Sequence, residues 1–348
     1  MKALNIIGLA VAALSCAPAT FAQDAAPAAP KLKAVLLMPN SKKLTEIQVE
    51  RSDGKENFFY MQKGTDQEMM MPVASCKPFV LQTPADLVAA LNTYREGDLS
   101  AARKQCASVK KKYANYAGLP GSPVTIAAVT ELSCAVREMD WAGVKGLVDG
   151  FPSADTLAGG DAMRLKVASI MASISDSPKS FDTQKAAIDE LLKDKKAAKA
   201  INSEVYGWLR YALARAYASK LTAEDLEGTL SGDKLKAAEL AIDNFCQCVA
   251  STHGIAAELP VDSLTRAMTI LNAMPGVKDY AAKATAPLDK KAWATAPVNF
   301  KDAVAMANLL KTVYAPEAQI ALADKLAPFY YNTGKDRPKK TETPEEGK

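Results

Sequence analysis

The stretch Tyr94-Arg95-Glu96-Gly97-Asp98-Leu99-Ser100-Ala101-Ala102 decides how the chain is read. An aromatic residue closes one run of helical periodicity, a Gly-Asp pair turns the chain, and small residues open a second run. Outward from this joint, apolar residues recur three and four apart from Pro84 nearly to the C-terminus, in an Ala-rich background broken by Gly and Pro. The spacing predicts helices over Asp86–Glu96, Leu99–Tyr113, Pro123–Glu138, Trp141–Asp149, Asp161–Ser173, Phe181–Lys195, Ser203–Lys220, Lys234–Ser251, Pro260–Ala273, Phe300–Tyr314 and Pro316–Tyr331. Short links and no strand pattern between them point to stacked helical hairpins.

The material before Pro84 differs. Ala34–Met38 is a short apolar run, Asn57–Met61 is another, and Asp53-Gly54 lies between the second run and an extended stretch containing Leu44, Ile47 and Val49. Asp-Gly between two such runs is a hairpin signal. With Met69–Met71 and Pro78–Leu81, residues 34–82 read as a small antiparallel β module, too small to stand alone and expected to rest on the helices. The expected organisation is a signal peptide at 1–22, an Ala/Pro linker at 23–33, the β module at 34–82, a helical domain at 84–332 and a disordered tail at 333–348. The signal rests on Lys2, the apolar run Ala3–Leu14 and the small residues Thr20 and Ala22 ahead of Gln23. Leu14-Ser15-Cys16 offers a rival lipoprotein site with a lipid anchor on Cys16, although Ala13 stands where such sites usually carry Leu. Either way the chain is expected to be exported, to the periplasm or cell envelope or beyond the cell.

Composition narrows the chemistry. The 348 residues carry 43 Lys+Arg against 39 Asp+Glu, a single histidine and six cysteines. One histidine, His253, excludes sites built from two or more, and a near balance of charge disfavours nucleic-acid binding. The sequence holds no phosphate loop, dinucleotide fingerprint, nucleophile elbow or Cys-x-x-Cys pair, so no cofactor and no catalytic residue is expected. Asp189 and Glu190 are sequence neighbours on a predicted helix and diverge, Glu239 with Asp243 read as solvated acids, Met69–Met71 as strand core, and Lys110–Lys112 as a solvated helix face. Cys106 and Cys134, on consecutive helices at similar distances from the Gly118–Gly121 turn, could form a bridge or remain buried thiols. Cys246 and Cys248 should diverge on their helix.

The joint at Tyr94–Ala102, a second at Met139-Asp140-Trp141, and the Leu213-Ala214-Arg215-Ala216-Tyr217 spacing together resemble the tetratricopeptide repeat, though no unit carries the full pattern. The resemblance implies a mainly α, TPR-like helical-hairpin solenoid carrying the β module at its N-terminus. It also implies a working surface on the inner face of each first helix, where Trp208, Tyr211 and Arg215 (i, i+3, i+7) and Tyr94 or Arg95 would fall. The competing reading has Trp208 and Tyr211 filling the gap between hairpins. The expectation is thus a non-enzymatic scaffold with a protein or peptide partner, the alternatives being a self-associating envelope component and a hydrolase with an unrecognised site.

Overall fold

A computed structural model describes residues 30–61, 67–152, 157, 159–176, 181–193, 199, 201–252, 258–316 and 319–330. The expected signal peptide with Cys16, most of the Ala/Pro linker, His253 and the expected tail at 333–348 lie outside the described residues. The chain is mainly helical, with a small N-terminal antiparallel sheet of five strands.

The strands are β1 (Leu32–Leu37), β2 (Leu44–Ser52), β3 (Asn57–Met61), β4 (Glu68–Pro72) and β5 (Phe79–Leu81), in the order β4-β3-β2-β1-β5. Alternation sets the faces: Leu32, Ala34 and Leu36 point inward and Lys33 and Val35 outward. Met69 and Met70 correct one expectation. They lie exposed on edge strand β4, and of the three methionines Met71 packs against the core, where its Sδ accepts the Cys76 thiol at 3.0 Å.

The expected Asp-Gly turn joins β2 to β3, with Gly54 at φ 78°. Asp53 organises it by accepting from the Asn57 side chain at 2.6 Å and from the Lys55 and Asn57 N–H groups at 2.9 and 3.1 Å. These bonds, the Asn57 side chain first, hold the exposed Asp53 carboxyl down from 3.8 to about 2. A carboxyl with a lowered folded pKa contributes stability that is full above its ordinary value and is lost as pH falls. The Asp53 contribution should therefore persist down to pH 3.8 and disappear through about 2. An NMR titration of its carboxyl carbon checks this, and Asn57→Ala should move the midpoint back up.

The helices are α1 (Ala85–Glu96), α2 (Leu99–Lys112), α3 (Pro123–Arg137), α4 (Trp141–Asp149), α5 (Gly159–Asp176), α6 (Phe181–Lys193), α7 (Ser203–Ala218) and α8 (Ala223–Glu227). They continue as α9 (Gly232–Thr252), α10 (Glu258–Asn272), α11 (Val277–Lys283), α12 (Lys290–Thr295), α13 (Val298–Leu309) and α14 (Ala321–Leu326). The two joints share one geometry. Gly97 (φ 90°) and Met139 (φ 55°) are both left-handed, and each is followed by an aspartate cap, Asp98 accepting from Ala101 N–H at 3.0 Å and Asp140 from Gly143 N–H at 2.9 Å. The expected helix over Pro316–Tyr331 shortens to α14, because Ile320 is extended and Pro328 sits in a short 3-10 turn beyond it. Short helices α8, α11 and α12 were not expected, being too brief to show a helical period.

Two cores meet in α3. The first joins the inner sheet face (Val49, Phe58, Tyr60) to Leu87 and Ala90 of α1, Cys106 and Val109 of α2, and Val124 and Ala127 of α3. The second starts at Leu132 and runs through Trp208, Phe245 and Phe300 to Phe329. The sheet therefore shares its core with α1–α3. Tyr116, fully buried beyond α2, clips the two together: its hydroxyl accepts from Leu32 N–H at 3.1 Å and lies 2.9 and 3.0 Å from the carbonyls of Pro30 and Val49. At Gly118 (φ +83°) a Cβ would fall 2.7 Å from the Gly54 carbonyl, so turn packs directly on turn.

Sequence neighbours pack together, α1 on α2, α2 on α3, α3 on α4, α4 on α5 and α9 on α10, and α7 on α9 and α10 on α13 pack across the short helices between them. A second set of contacts joins α1 to α3, α3 to α5 and α5 to α7. Among the described residues no helix is long and apolar enough to cross a membrane.

Candidate functional site

Helix α7 begins at Asn202, whose side chain accepts from Val205 N–H at 2.9 Å. Along one stripe it then carries Glu204, Trp208, Tyr211 and Arg215, spaced i, i+4, i+7 and i+11. Three of these four are residues that the sequence singled out.

The stripe starts in a buried ion cluster. Arg137 of α3 reaches Glu204 Oε1 through both Nε and Nη2 at 3.0 Å, and the Tyr94 hydroxyl of α1 donates to the same oxygen at 3.1 Å. Arg164 of α5 donates to Glu204 Oε2 at 3.0 Å and to Ser133 Oγ at 2.7 Å. One carboxylate thus faces two guanidiniums with Glu204 only 7% and Arg137 only 8% exposed, a setting in which each charge depends on the others. The Arg137 guanidinium also lies 4.0 Å from the Tyr94 ring centroid, and that of Arg164 lies 5.5 Å from the Trp208 ring. Burial first, then the Glu204 charge, raises the Tyr94 phenol well above its usual range, so it stays a proton donor.

Further along, the Tyr211 hydroxyl donates to Asp262 Oδ2 of α10 at 2.7 Å and accepts from Arg215 Nη1 at 3.0 Å. Arg266, one turn on from Asp262, donates its Nε to the same carboxylate oxygen at 2.6 Å. Trp141 of α4 stacks on the Tyr211 ring at 6.0 Å and Phe245 of α9 meets it edge-on at 6.1 Å. Burial and the Asp262 charge raise the Tyr211 phenol too.

The structure thus places Tyr94 and Trp208 in one cluster of contacts and Tyr211 and Arg215 in a second, both anchored on α7, and leaves Arg95 out of both, exposed and bonded to Asn92 at 3.2 Å. Trp208 is 0% and Tyr211 2% exposed, so both rings fill the space between helices and present no open surface. The stripe reaches solvent at half-buried Arg215 and at Arg266, whose side chain is 41% exposed. Sequence reasoning missed Arg137, Arg164, Glu204, Asp262 and Arg266. Apart from Glu204, which shares the α7 stripe, they lie on other helices.

The other candidates are structural. Cys106 and Cys134 are free buried thiols. Burial raises Cys106 to about 11 and Cys134 to about 12, where a thiol is inert at neutral pH. Cys246 is exposed and Cys248 buried on opposite sides of α9, both free. Lys110 pairs with Glu131 and Lys112 with Asp86, while Glu239 and Asp243 are exposed. No group of three or more His, Cys, Asp or Glu side chains placed to hold a metal occurs among the described residues. Comparisons with known protein families, curated proteins and solved structures return no match to this chain.

Proposed function

We propose that the chain is an exported, non-enzymatic protein-binding or assembly scaffold of the cell envelope, built as a tetratricopeptide-like stack of helical hairpins. Its partner is a protein or peptide that docks where the α7 stripe reaches solvent, at Arg215 of α7 and Arg266 of α10. The observation that carries this reading is a pair of contact clusters anchored on α7: Tyr94, Arg137 and Arg164 on Glu204, which join α1, α3 and α5 to it, and Asp262 of α10 on Tyr211, which ends on the part-exposed guanidiniums of Arg215 and Arg266. A preordered face with accessible arginine lowers the ordering cost of binding. Glu204 accepts from three residues and Asp262 from two, which suits both to bracing and poorly to proton transfer.

The test is capture of partners from the native envelope fraction on the tagged mature chain, against Arg215→Ala, Arg266→Ala and the double variant. A partner depleted about tenfold by the double variant, with unchanged circular dichroism and melting, is the expected outcome, a loss that corresponds to about 1.4 kcal/mol. Recovery at the wild-type level by the double variant overturns the reading.

A second reading, self-association through the β module, is favoured by the exposed apolar residues of the sheet: Val35, Leu44, Met70 and Val80 on its outer face, with the β4 edge beside them. It predicts concentration-dependent oligomers in sedimentation that Met70→Lys with Val80→Lys abolishes. Deleting the module would not test this, because the sheet shares its core with α1–α3.

A further inference from the structure

Lined by none of the α7 stripe residues, an open groove of about 740 Å³ lies between α11, the link at 284–289, α12 and Pro297. That volume falls within the range of sites that take a small ligand or a short extended segment. Leu288, Pro287 and Pro297 supply apolar wall, and Tyr280 braces the floor by donating to the Ala292 carbonyl at 2.7 Å while its ring packs 4.9 Å from Phe300.

Its charge is acidic on balance. Asp279 and Asp289 contribute two carboxylates against the single ammonium of Lys283. Asp289 uses Oδ1 to cap α12, accepting from Ala292 N–H at 2.7 Å, and no ion pair engages Asp279 among the described residues. The groove therefore favours an occupant that is extended and basic.

One such segment is tethered to its wall. Leu288 N–H donates to the Tyr330 carbonyl at 3.3 Å, which brings the last described residue against the groove. The sequence that follows, residues 331–340, holds Tyr331, Lys335, Arg337, Lys339 and Lys340 against one acid, Asp336. A short tether gives a local concentration of about millimolar, so even weak contacts keep such a segment bound.

We propose that the groove is the docking site of the chain's own basic segment, residues 331–340, held by Asp279 and Asp289. After Thr333 this segment has no large apolar side chain to bury, so its hold is electrostatic, with Tyr331 the one aromatic anchor. Any outside partner for the groove must then be a basic extended segment able to displace it. The inference is independent of the scaffold reading.

Hydrogen exchange on the full chain, read by mass spectrometry, tests it. Amides of 331–340 should exchange about tenfold more slowly than in a free synthetic peptide of residues 331–348, and Asp279→Asn with Asp289→Asn should return them to the peptide rate. Asparagine caps a helix as well as aspartate does, so protection of α12 should survive and separate lost docking from local unfolding. Lys335→Ala, Arg337→Ala, Lys339→Ala and Lys340→Ala together should release the segment equally. Peptide-like exchange in the unmodified chain overturns the proposal, as does protection indifferent to the paired Asn changes. Protection that rises with protein concentration would assign the groove to a second copy, and saturable protection of residues 284–295 by added peptide would show it open to outside segments. Either result also overturns the proposal.

Discussion

Glu204→Gln should destabilise the fold by about 3–5 kcal/mol, the range for removing one partner of a buried ion cluster. The change is nearly isosteric, so the loss is electrostatic: the Arg137 and Arg164 guanidiniums, at 3.0 Å from the carboxylate, are left without a counter-charge where water cannot replace it. The cost should not be local. Glu204 draws donors from α1, α3 and α5 onto α7, so the unfolding midpoint in urea should fall while the slope stays constant, as for a cooperative core change. A second variant separates charge from shape. In Glu204→Gln with Arg164→Gln one excess guanidinium is gone, and coupling within such a network should restore about 1–3 kcal/mol. If the single change costs less than about 1 kcal/mol, the value of an exposed pair, the cluster is hydrated and does not tie the helices together.

The joints were legible because each is local. Gly97-Asp98 shows its turn and Met139-Asp140-Trp141 its joint within three residues, and Asp53-Gly54 shows its hairpin between two short apolar runs, whereas the aspartate caps appear only in the structure. The ion cluster is not local. Glu204 lies 40 residues from Arg164 and 67 from Arg137 in sequence, and alone it reads as an ordinary acid in the first turn of a helix. The spacing of Trp208 and Tyr211 puts them on one stripe of α7, but whether that stripe faces a groove or the core depends on what surrounds α7. A cue was present: Val205, Leu209, Ala212, Leu213, Ala214 and Ala216 leave α7 apolar nearly all round, the mark of a helix with neighbours on every side. The groove beside α11 and α12 had no cue of this kind, because helices of seven and six residues are too short to display a face.

Gly207→Ala should destabilise the fold by about 1–3 kcal/mol, although alanine is the better helix former by about 1 kcal/mol. Gly207 lies inside α7, so space, not backbone conformation, is what it provides. A Cβ there would meet Thr252 Cγ2 of α9 at 2.4 Å, and neither helix has slack, because Thr252 is fully buried and its hydroxyl is tied to the Cys248 carbonyl at 2.8 Å. The next neighbours, Ser251 Cβ at 3.4 Å and Cys248 O at 3.5 Å, are close to ordinary contacts, so one methyl group decides the outcome. Thr252→Ser removes that methyl and keeps the hydroxyl bond. In the Thr252→Ser background Gly207→Ala should then change sign and stabilise by about 1 kcal/mol, as the new methyl fills the space vacated and the propensity gain is realised. Thermal melts of the four proteins read this directly. A gain in stability from Gly207→Ala alone would mean that the α7–α9 spacing yields at this contact, and a face organised on α7 would then lack the rigidity that the scaffold reading requires.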